Sequence, residues 1–519
     1  MTALTVLLLA AALAFGFSRL TGIHPIPLFI LAGFAAGLPL DLDSTLLGDA
    51  LILGVSILVF AAGVELNPAR VGRQRRAALV VGSVQFALLG IIGVGVGLLL
   101  GLELEASLYL GLALTASSTL VVVRILQKRS QLFEPLGRMI TGVLLLQDLL
   151  IILLIPIVVR IPDGAWAVGE GVVATLALVA LTFVTLQWIA PFVLRRLASD
   201  EESLLLLVLT ILFAFMGLTH WLDLPLISGA FLAGVALSAF PVNAMIRGQL
   251  TSISNFFNAL FFTALGAFLP FPGASELVPA LLLTGLLIVV TPPIVALLAE
   301  RFGLSARPAL NAGLVLAQTS EFSLVVGLQA VAVGQMTDST FSVIVWVTVL
   351  SMALTPFITT HRIIDALVRF HPTRSGKAKA QVPVGHVVVV GCGKTGMELL
   401  EILMGTPREL LVIEVDPATV DRLREAGIDT IRGDISNPLV LRDAGVRDAH
   451  LVISTVRSTK DHAELLSLRG EGKATMIRTF EESETRWVED RGAIAVPYSE
   501  AAAEEFMKWF TAEDWSSAK

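Results

Sequence analysis

A carboxylate inside an apolar segment is the residue whose chemistry is easiest to read from this chain. Asp148 lies in the stretch 141–154, where the other polar residues are Thr141 and Gln147. An unpaired carboxylate at the centre of a bilayer costs about 2.5–3.5 kcal/mol on insertion scales. Such a residue usually faces a water-filled cavity, where it binds an ion or carries a proton. We therefore expect Asp148 to bind a monovalent cation or a proton, with no tightly bound metal.

Two polar clusters interrupt other apolar segments, at residues 115–119 and 318–323. Hydroxyl side chains replace backbone partners where a membrane helix unwinds, and the ends of the half-helices then face the ion. We therefore expect two discontinuous helices. The alternative is that small hydroxyl residues only permit close helix packing. The candidate ion- and proton-binding residues are Asp148, Gln147, Thr115, Ser117, Ser118 and Glu321.

Two acidic residues have competing interpretations. Glu65 ends the third apolar segment, where solvation or a salt bridge explains it as well as an ion site does. Glu321 lies deeper in its segment and either pairs with Arg124 or lines the ion path. Because Asp148 is the one titratable carboxylate expected at mid-membrane, the simplest cycle exchanges one monovalent cation for one proton.

Residues 1–365 have the pattern of a multi-pass helical membrane domain. Of the 519 residues, 55% are hydrophobic and 15% are charged, and apolar runs of about 20 residues recur. The net charge of −7 comes without a basic patch for nucleic acid, and the one cysteine excludes an internal disulfide framework. We predict about thirteen spans, at residues 2–19, 24–40, 46–65, 78–100, 106–126, 138–160, 168–190, 203–220, 224–240, 254–271, 277–299, 309–334 and 340–361.

Basic residues collect on one side of these spans, after spans 3, 5, 7, 9 and 11. Because basic loops stay in the cytoplasm, we expect the N-terminus outside and the C-terminal domain inside, in the inner (cytoplasmic) membrane. The basic residues are Arg70, Arg73, Arg75, Arg76, Lys128, Arg129, Arg138, Arg195, Arg196, Arg247, Arg301 and Arg307.

The two halves of the membrane domain share short sequence echoes at an offset of seven spans. Residues 27–37 resemble residues 225–234, and residues 60–66 resemble residues 262–269. An odd offset places the two copies in opposite orientations, which is the inverted-repeat arrangement of secondary transporters. The alternative is chance similarity between helices rich in glycine and alanine.

A glycine-rich loop follows the last span. An apolar strand leads into Gly391-x-Gly393-x-x-Gly396, and a second strand reaches Glu414, 18 residues beyond Gly396. In a Rossmann unit the glycines let the backbone approach a phosphate, the helix N-terminus binds it, and the acid takes the ribose hydroxyls. The alternative is a Rossmann fold that keeps the loop for packing alone. The candidate nucleotide-binding residues are Gly391, Gly393, Lys394, Thr395, Gly396, Glu414, Asp416 and Asp434.

We expect this loop to bind an adenine nucleotide as a regulator. Glu414 suits a free ribose 2′-hydroxyl, which favours NAD(H), AMP or ATP over NADP. The predicted domains are a membrane domain (1–365), a linker (366–383) and a cytoplasmic α/β Rossmann-like domain (384–519).

Together these motifs resemble the monovalent cation:proton antiporter-2 family. The likeness is carried by residues 63–68, 112–119 and 229–234 and by Gln147-Asp148, a pair similar to that of the Kef-type potassium/proton antiporters. The C-terminal region, including Gly433-Asp434, resembles the nucleotide-binding domain known as RCK-N, KTN or TrkA-N. The likeness covers nearly the whole chain.

The resemblance implies a homodimer in the lipid bilayer, with a dimerisation bundle and a moving core bundle in each protomer. It implies that Asp148 binds cation and proton in competition, assisted by Gln147, beside the crossing of the two discontinuous helices. It implies transport of K+, with Na+ as the alternative cation, by alternating access. Nucleotide bound to the C-terminal domain would gate transport.

Two other classes of function explain parts of the sequence. A ligand-gated potassium channel shares a nucleotide-binding gate, but the chain has no filter resembling Thr-Val-Gly-Tyr-Gly. A membrane-tethered NAD-binding oxidoreductase needs a substrate domain, and the 136 residues from 384 to 519 leave little room for one. The sequence therefore favours a transporter over an enzyme.

Overall fold

The computed structural model divides into a helical unit and an α/β unit. The first comprises residues 1–299 and 309–366, and the second comprises residues 300–308 and 367–519. Most of the predicted linker (366–383) and all of residues 499–519 lie outside the described residues. The structure describes residues 2–21, 24–37, 44–66, 74–128, 131–132, 135–190, 192, 201–238, 244–269, 272–302, 304, 306–369, 385–405, 407–435, 438–457, 462–469 and 473–498.

The helical unit follows the predicted apolar segments. Within the described residues, eight helices are long and apolar enough to cross a membrane, and five shorter apolar helices coincide with other predicted spans. The helices are α1 (Thr2–Thr21), α2 (Pro25–Gly37), α3 (Ser44–Glu65), α4 (Arg75–Leu99), α5 (Leu104–Thr115), α6 (Thr119–Lys128), α7 (Pro135–Val159), α8 (Ala165–Val184), α9 (Glu201–Trp221), α10 (Leu226–Leu237), α11 (Ala244–Phe268), α12 (Ala274–Arg301), α13 (Ala306–Leu316), α14 (Glu321–Ala332), α15 (Asp338–Ile358) and α16 (His361–Arg369).

Two of the predicted spans are interrupted where their polar clusters lie. α5 ends at Thr115 and α6 begins at Thr119, while α13 ends at Leu316 and α14 begins at Glu321. Ser320 forms a capping box with Ser323, so the backbone that leaves the second break is satisfied locally. The expected discontinuous helices are therefore confirmed.

Close glycine contacts join the two sequence echoes crosswise. A Cβ atom on Gly63 of α3 would clash with the carbonyl of Phe231 in α10, and one on Gly234 would clash with the carbonyl of Phe60 in α3. Gly266 of α11 makes the same kind of contact with α2, at the carbonyl of Ile30. The first copy thus packs on the second in two matching pairs, α2 with α11 and α3 with α10. This pattern is the one expected of halves related by a two-fold axis.

The α/β unit is a parallel sheet with the strand order β3-β2-β1-β4-β5-β6. The order reverses between β1 and β4, whose carboxyl ends Val390 and Ser454 are paired. A Rossmann sheet binds its ligand outside such a reversal point. The strands are β1 (Val387–Val390), β2 (Leu410–Glu414), β3 (Asp429–Arg432), β4 (Leu451–Ser454), β5 (Thr475–Thr479) and β6 (Ile494–Pro497), and the helices between them are α17 (Lys394–Leu403), α18 (Pro417–Glu425), α19 (Pro438–Asp443), α20 (His462–Arg469) and α21 (Glu482–Glu489).

The Rossmann-like fold predicted for the C-terminal region is therefore confirmed. The sequence did not predict β6. Its residues alternate between exposed and half-buried, so this strand lacks the continuous apolar run that marks β1.

Candidate ion-binding site and nucleotide loop

The two breaks in the helical unit are tied to each other through serine hydroxyls. Ser117 Oγ, in the first break, donates to the carbonyl of Leu316 at 2.8 Å. Ser323 Oγ, at the start of α14, donates to the carbonyl of Ala113 near the end of α5. A helix ends with carbonyls that its own backbone cannot satisfy. Here each discontinuous helix supplies a hydroxyl to the other, and the crossing is thereby fixed.

Gln147 and Asp148 of α7 face the first break. Gln147 Oε1 accepts a hydrogen bond from the backbone N–H of Ser117 at 3.2 Å. Asp148 Oδ2 accepts one from Thr119 Oγ1 at 3.1 Å, and its side chain is 4% exposed. Among the described residues, Asp148 Oδ1 and Gln147 Nε2 have no hydrogen-bond partner. These atoms are therefore left to a ligand or to water.

A second buried carboxylate, Glu321, lies at the first residue of α14. Its Oε2 accepts a hydrogen bond from Ser118 Oγ at 2.9 Å. Glu321 lies near enough to Asp148 for the two carboxylates to repel each other when both are ionised. The ion pairs of the described residues include none between Glu321 and Arg124. The side-chain partner of Glu321 is the hydroxyl of Ser118.

Not every candidate residue has its side chain among the contacts around Asp148 and Glu321. Thr115 Oγ1 donates to Leu112 within α5 at 2.7 Å, so Thr115 ends the helix and has its hydroxyl turned to its own backbone. Thr119 was not among the candidates, although it is the residue that bonds Asp148. It is the last hydroxyl of the same cluster, and its position at the start of α6 is the signal that could have found it. Glu65 is exposed at the end of α3 and is electrostatically close to Asp148 and Glu321.

This arrangement suits competition between a cation and a proton. Buried carboxylates are stable only when a proton or a cation neutralises them. Oxygen atoms of Asp148, Thr119 and Glu321 are the hard ligands that alkali cations prefer, and the neutral Gln147 adds no counter-charge of its own.

In the α/β unit, the glycine loop has the geometry of a phosphate cradle. Gly391 has a φ of +82°, which favours glycine, and a Cβ on Gly396 would clash with the Gly391 carbonyl. Gly393 precedes the first turn of α17 without a capping side chain, and a Cβ there would have nothing within 4 Å. The N-terminus of α17 is therefore open to an anion.

The acidic candidates of this domain differ in what they contact. Glu414 Oε2 accepts the backbone N–H of Cys392 in the loop, and its Oε1 accepts those of Val415 and Asp416. Asp416 Oδ2 instead caps α18 through the backbone N–H of Thr419. Glu414 thus contacts the glycine loop directly, whereas Asp416 caps the helix that follows β2. Asp434 follows β3 at the same edge of the sheet.

Two residues beside the loop were not predicted from the sequence. Thr455, after β4, donates to the Gly391 carbonyl at 2.8 Å. Arg478, in β5, donates to Thr395 Oγ1 at 3.2 Å, and its guanidinium lies 3.8 Å from the centre of the Tyr498 ring. Lys394 is exposed at the start of α17. Both missed contacts join residues that are distant in the chain, so spacing alone could not find them.

Cys392 lies buried in the loop. Burial, and then the carboxylate of Glu414, raises the pKa of the Cys392 thiol to about 12. A thiol with so high a pKa is almost entirely protonated at neutral pH and reacts slowly. This state fits a packing residue better than a redox sensor.

The family follows from a match to the model described as sodium/hydrogen exchanger, transmembrane, over residues 4–362. The chain belongs to the sodium/hydrogen exchanger family. Residues 387–496 match the TrkA-N domain, which is a nucleotide-binding domain. The two matched regions of the chain are therefore those of a multi-pass cation/proton antiporter with a TrkA-N domain.

Similar proteins are transporters. The chain is 28% identical over 453 residues to the glutathione-regulated potassium-efflux system protein KefC of Cronobacter sakazakii, covering 83% of this chain and 71% of KefC. It is 25% identical over 516 residues to YbaL of Escherichia coli, which is assigned as a cation/proton antiporter, covering 92% of this chain and 91% of YbaL.

Among solved structures, the sodium proton antiporter MjNhaP1 of Methanocaldococcus jannaschii superposes with a TM-score of 0.56 at 14% identity. The superposition covers 71% of this chain and 98% of that one. At 14% identity this likeness shows the fold of the helical unit and nothing more.

Proposed function

We propose that this antiporter exchanges K+ for H+ at Asp148, with Na+ as a poorer substrate. One observation carries the proposal: Asp148 is buried, one of its oxygens is bonded to Thr119, and the other has no partner among the described residues. A buried carboxylate of this kind takes either a cation or a proton, and loading one displaces the other. The potassium preference is supported by the name of the relative KefC.

Alternating access delivers the two ions to opposite sides of the membrane. Gln147, Ser117 and Ser118 hold the crossing of the discontinuous helices in shape, so that Asp148 and Glu321 move with it. Thr119 orients Asp148, and Glu321 adds a second oxygen ligand. The cycle exchanges one cation for one proton, because a single charge change at Asp148 accounts for both steps.

Nucleotide binding to the TrkA-N domain controls when exchange occurs. The open N-terminus of α17 accepts the phosphate, and Glu414 accepts the ribose hydroxyls in place of its present backbone partners. The ligand is an adenine nucleotide of the NAD(H), AMP or ATP class. The protein works as a homodimer in the inner membrane, with its N-terminus outside and the TrkA-N domain in the cytoplasm.

The experiment is a proton-flux assay in proteoliposomes that contain the full chain and a trapped pH dye. Addition of K+, Na+ or Li+ should move protons, with the largest rate for K+, and adenine nucleotides should change that rate. A larger rate with Na+ would contradict the substrate preference. An electrical current under a pure cation gradient would contradict the one-for-one exchange.

A further inference from the structure

The second half of the helical unit contains a counterpart of the contact between Ser117 and Gln147. The backbone N–H of Thr319, in the second break, donates to Ser351 Oγ of α15 at 3.1 Å. In the first half, the backbone N–H of Ser117 donates to Gln147 Oε1 of α7 at 3.2 Å. Both N–H groups belong to unwound segments. Both acceptors are side chains on the next helix of the same half, α7 in the first half and α15 in the second.

The two contacts are separated by nearly the offset of the repeat. Ser117 and Thr319 are 202 residues apart, and Gln147 and Ser351 are 204 residues apart. Gly63 and Gly266, which make equivalent contacts in the two halves, are 203 residues apart. Ser351 thus makes in the second half the contact that Gln147 makes in the first. The three offsets pair Asp148 with Leu350, Ser351 or Met352, and none of these carries a carboxylate. The second half keeps the support of the break and lacks the carboxylate.

A hydroxyl group from one turn earlier completes this support. Thr319 Oγ1 donates to Thr348 Oγ1 at 3.0 Å and lies 3.2 Å from Ser351 Oγ. Thr348 Oγ1 in turn donates to the carbonyl of Ile344 at 2.9 Å. Thr319, Thr348 and Ser351 are at most 1% exposed. A buried backbone N–H needs a partner. Ser351 accepts the N–H of Thr319 and Thr348 accepts its hydroxyl, and neither adds a charge.

Residues 319–321 connect the contacts of Thr319 with α15 to the ion site. Thr319 is followed by Ser320, which caps α14, and by Glu321, which accepts the hydroxyl of Ser118. Glu321 is only two residues beyond Thr319, so a change in the backbone at Thr319 would move Glu321.

We propose that Thr348 and Ser351 are positioning residues for cation binding: they hold the second break so that Glu321 faces Asp148. The inference rests on the proposed exchange at Asp148 and names the part of α15 that exchange requires.

The test compares variants of the full chain in proteoliposomes, with KM for K+, kcat, the pH profile and the melting temperature measured for each. Ser351→Ala removes the partner of a buried N–H, and Thr348→Val removes the other hydroxyl at nearly constant volume. The matched control is Thr355→Val. Thr355 is on the same helix and fully buried, but its hydroxyl bonds only to the carbonyl of Ser351 in its own helix.

Ser351→Ala should raise KM about five- to ten-fold, the range expected for one lost hydrogen bond, and should shift the pH profile. Thr348→Val should act in the same direction but less, and Thr348→Ser should restore the wild-type KM. Thr355→Val should leave KM and the pH profile unchanged.

A purely structural role would lower the melting temperature and leave both KM and the pH profile of the folded protein at wild-type values. That result for Ser351→Ala overturns the inference. If Ser351→Ala does not fold, equal KM values for Thr348→Val and Thr355→Val overturn it. Neither result touches the proposed exchange, which fails only if Asp148→Asn stays active.

Discussion

The hydroxyl of Ser118 donates to the carboxylate of Glu321 across 2.9 Å, which joins the break of one helix to the first residue after the break of the other. Neither residue is more than 4% exposed. The contact spans 203 positions of the chain, so it is a product of the crossing and not of local structure. It brings the second carboxylate into the neighbourhood of Asp148.

Removing this hydroxyl should weaken both the fold and the ion site. Ser118→Ala leaves Glu321 Oε2 without its donor, and a buried acceptor that loses its partner costs about 1–3 kcal/mol. We expect a lower melting temperature in detergent and a higher KM for the cation. The control is Ser342→Ala, because Ser342 Oγ is fully buried and has no partner among the described residues. Equal effects of the two substitutions would contradict the role given to Ser118.

The glycines that join α3 to α10 should not tolerate a methyl group. In Gly63→Ala or Gly234→Ala the new Cβ meets backbone carbonyl oxygen, which cannot move without displacing a whole helix. We expect each variant to be destabilised by about 1–3 kcal/mol or more, as for other overpacked sites. A Cβ on Gly217 of α9 has nothing within 4 Å, so Gly217→Ala should be neutral or stabilising. Thermal unfolding in detergent measures all three, and a stable Gly63→Ala would argue against this helix packing.

The glycine loop offers a way to separate nucleotide binding from folding. A Cβ on Gly393 has no protein atom within 4 Å, and the extended backbone there suits alanine. Gly393→Ala should therefore melt like the wild type without nucleotide, while a phosphate at the N-terminus of α17 would meet the new methyl group. We expect at least a ten-fold weaker affinity for the adenine nucleotide that binds best, measured by calorimetry on the full chain. Unchanged affinity would place the nucleotide elsewhere.

The thiol of Cys392 should be alkylated slowly at neutral pH. Its pKa is raised to about 12, so the reactive thiolate is scarce near pH 7 and increases about ten-fold with each pH unit up to that value. Since this is the only cysteine in the chain, labelling reports it alone. Glu414→Gln removes the second cause of the shift and should speed labelling at any given pH. A wild-type rate that levels off near pH 9 would show an ordinary thiol, and urea-unfolded protein provides that reference.

The sequence could reveal the breaks and the carboxylates because each is a local departure from an apolar pattern. The polar cluster at 115–119 and the lone Asp148 are visible without any partner. The same holds for the loop from Gly391 to Gly396. Glycine is required at Gly391 because its φ is +82°, and at Gly396 because the carbonyl of Gly391 lies too close for a Cβ. Each of these features is determined by residues adjacent in the sequence, so the sequence alone can predict it.

Contacts between distant segments could not be found in this way. Thr319 and Ser351 meet only because α15 packs behind the second break, and Arg478 reaches Thr395 only across the sheet. The two roles of Glu414 and Asp416 likewise depend on which backbone N–H groups face them, although both acids have suitable spacing from Gly396. Tertiary packing, and not residue type, decides these cases.

Proton flux by Asp148→Asn is the most direct test of the account. The substitution keeps the size and the hydrogen-bonding capacity of the side chain and removes its charge, so Thr119 retains an acceptor. In proteoliposomes given a K+ gradient, the wild type should move protons and Asp148→Asn should reduce that flux at least 100-fold, about the loss expected when a group that transfers the proton is removed, with its melting temperature unchanged or raised. Full exchange by folded Asp148→Asn would contradict the central claim.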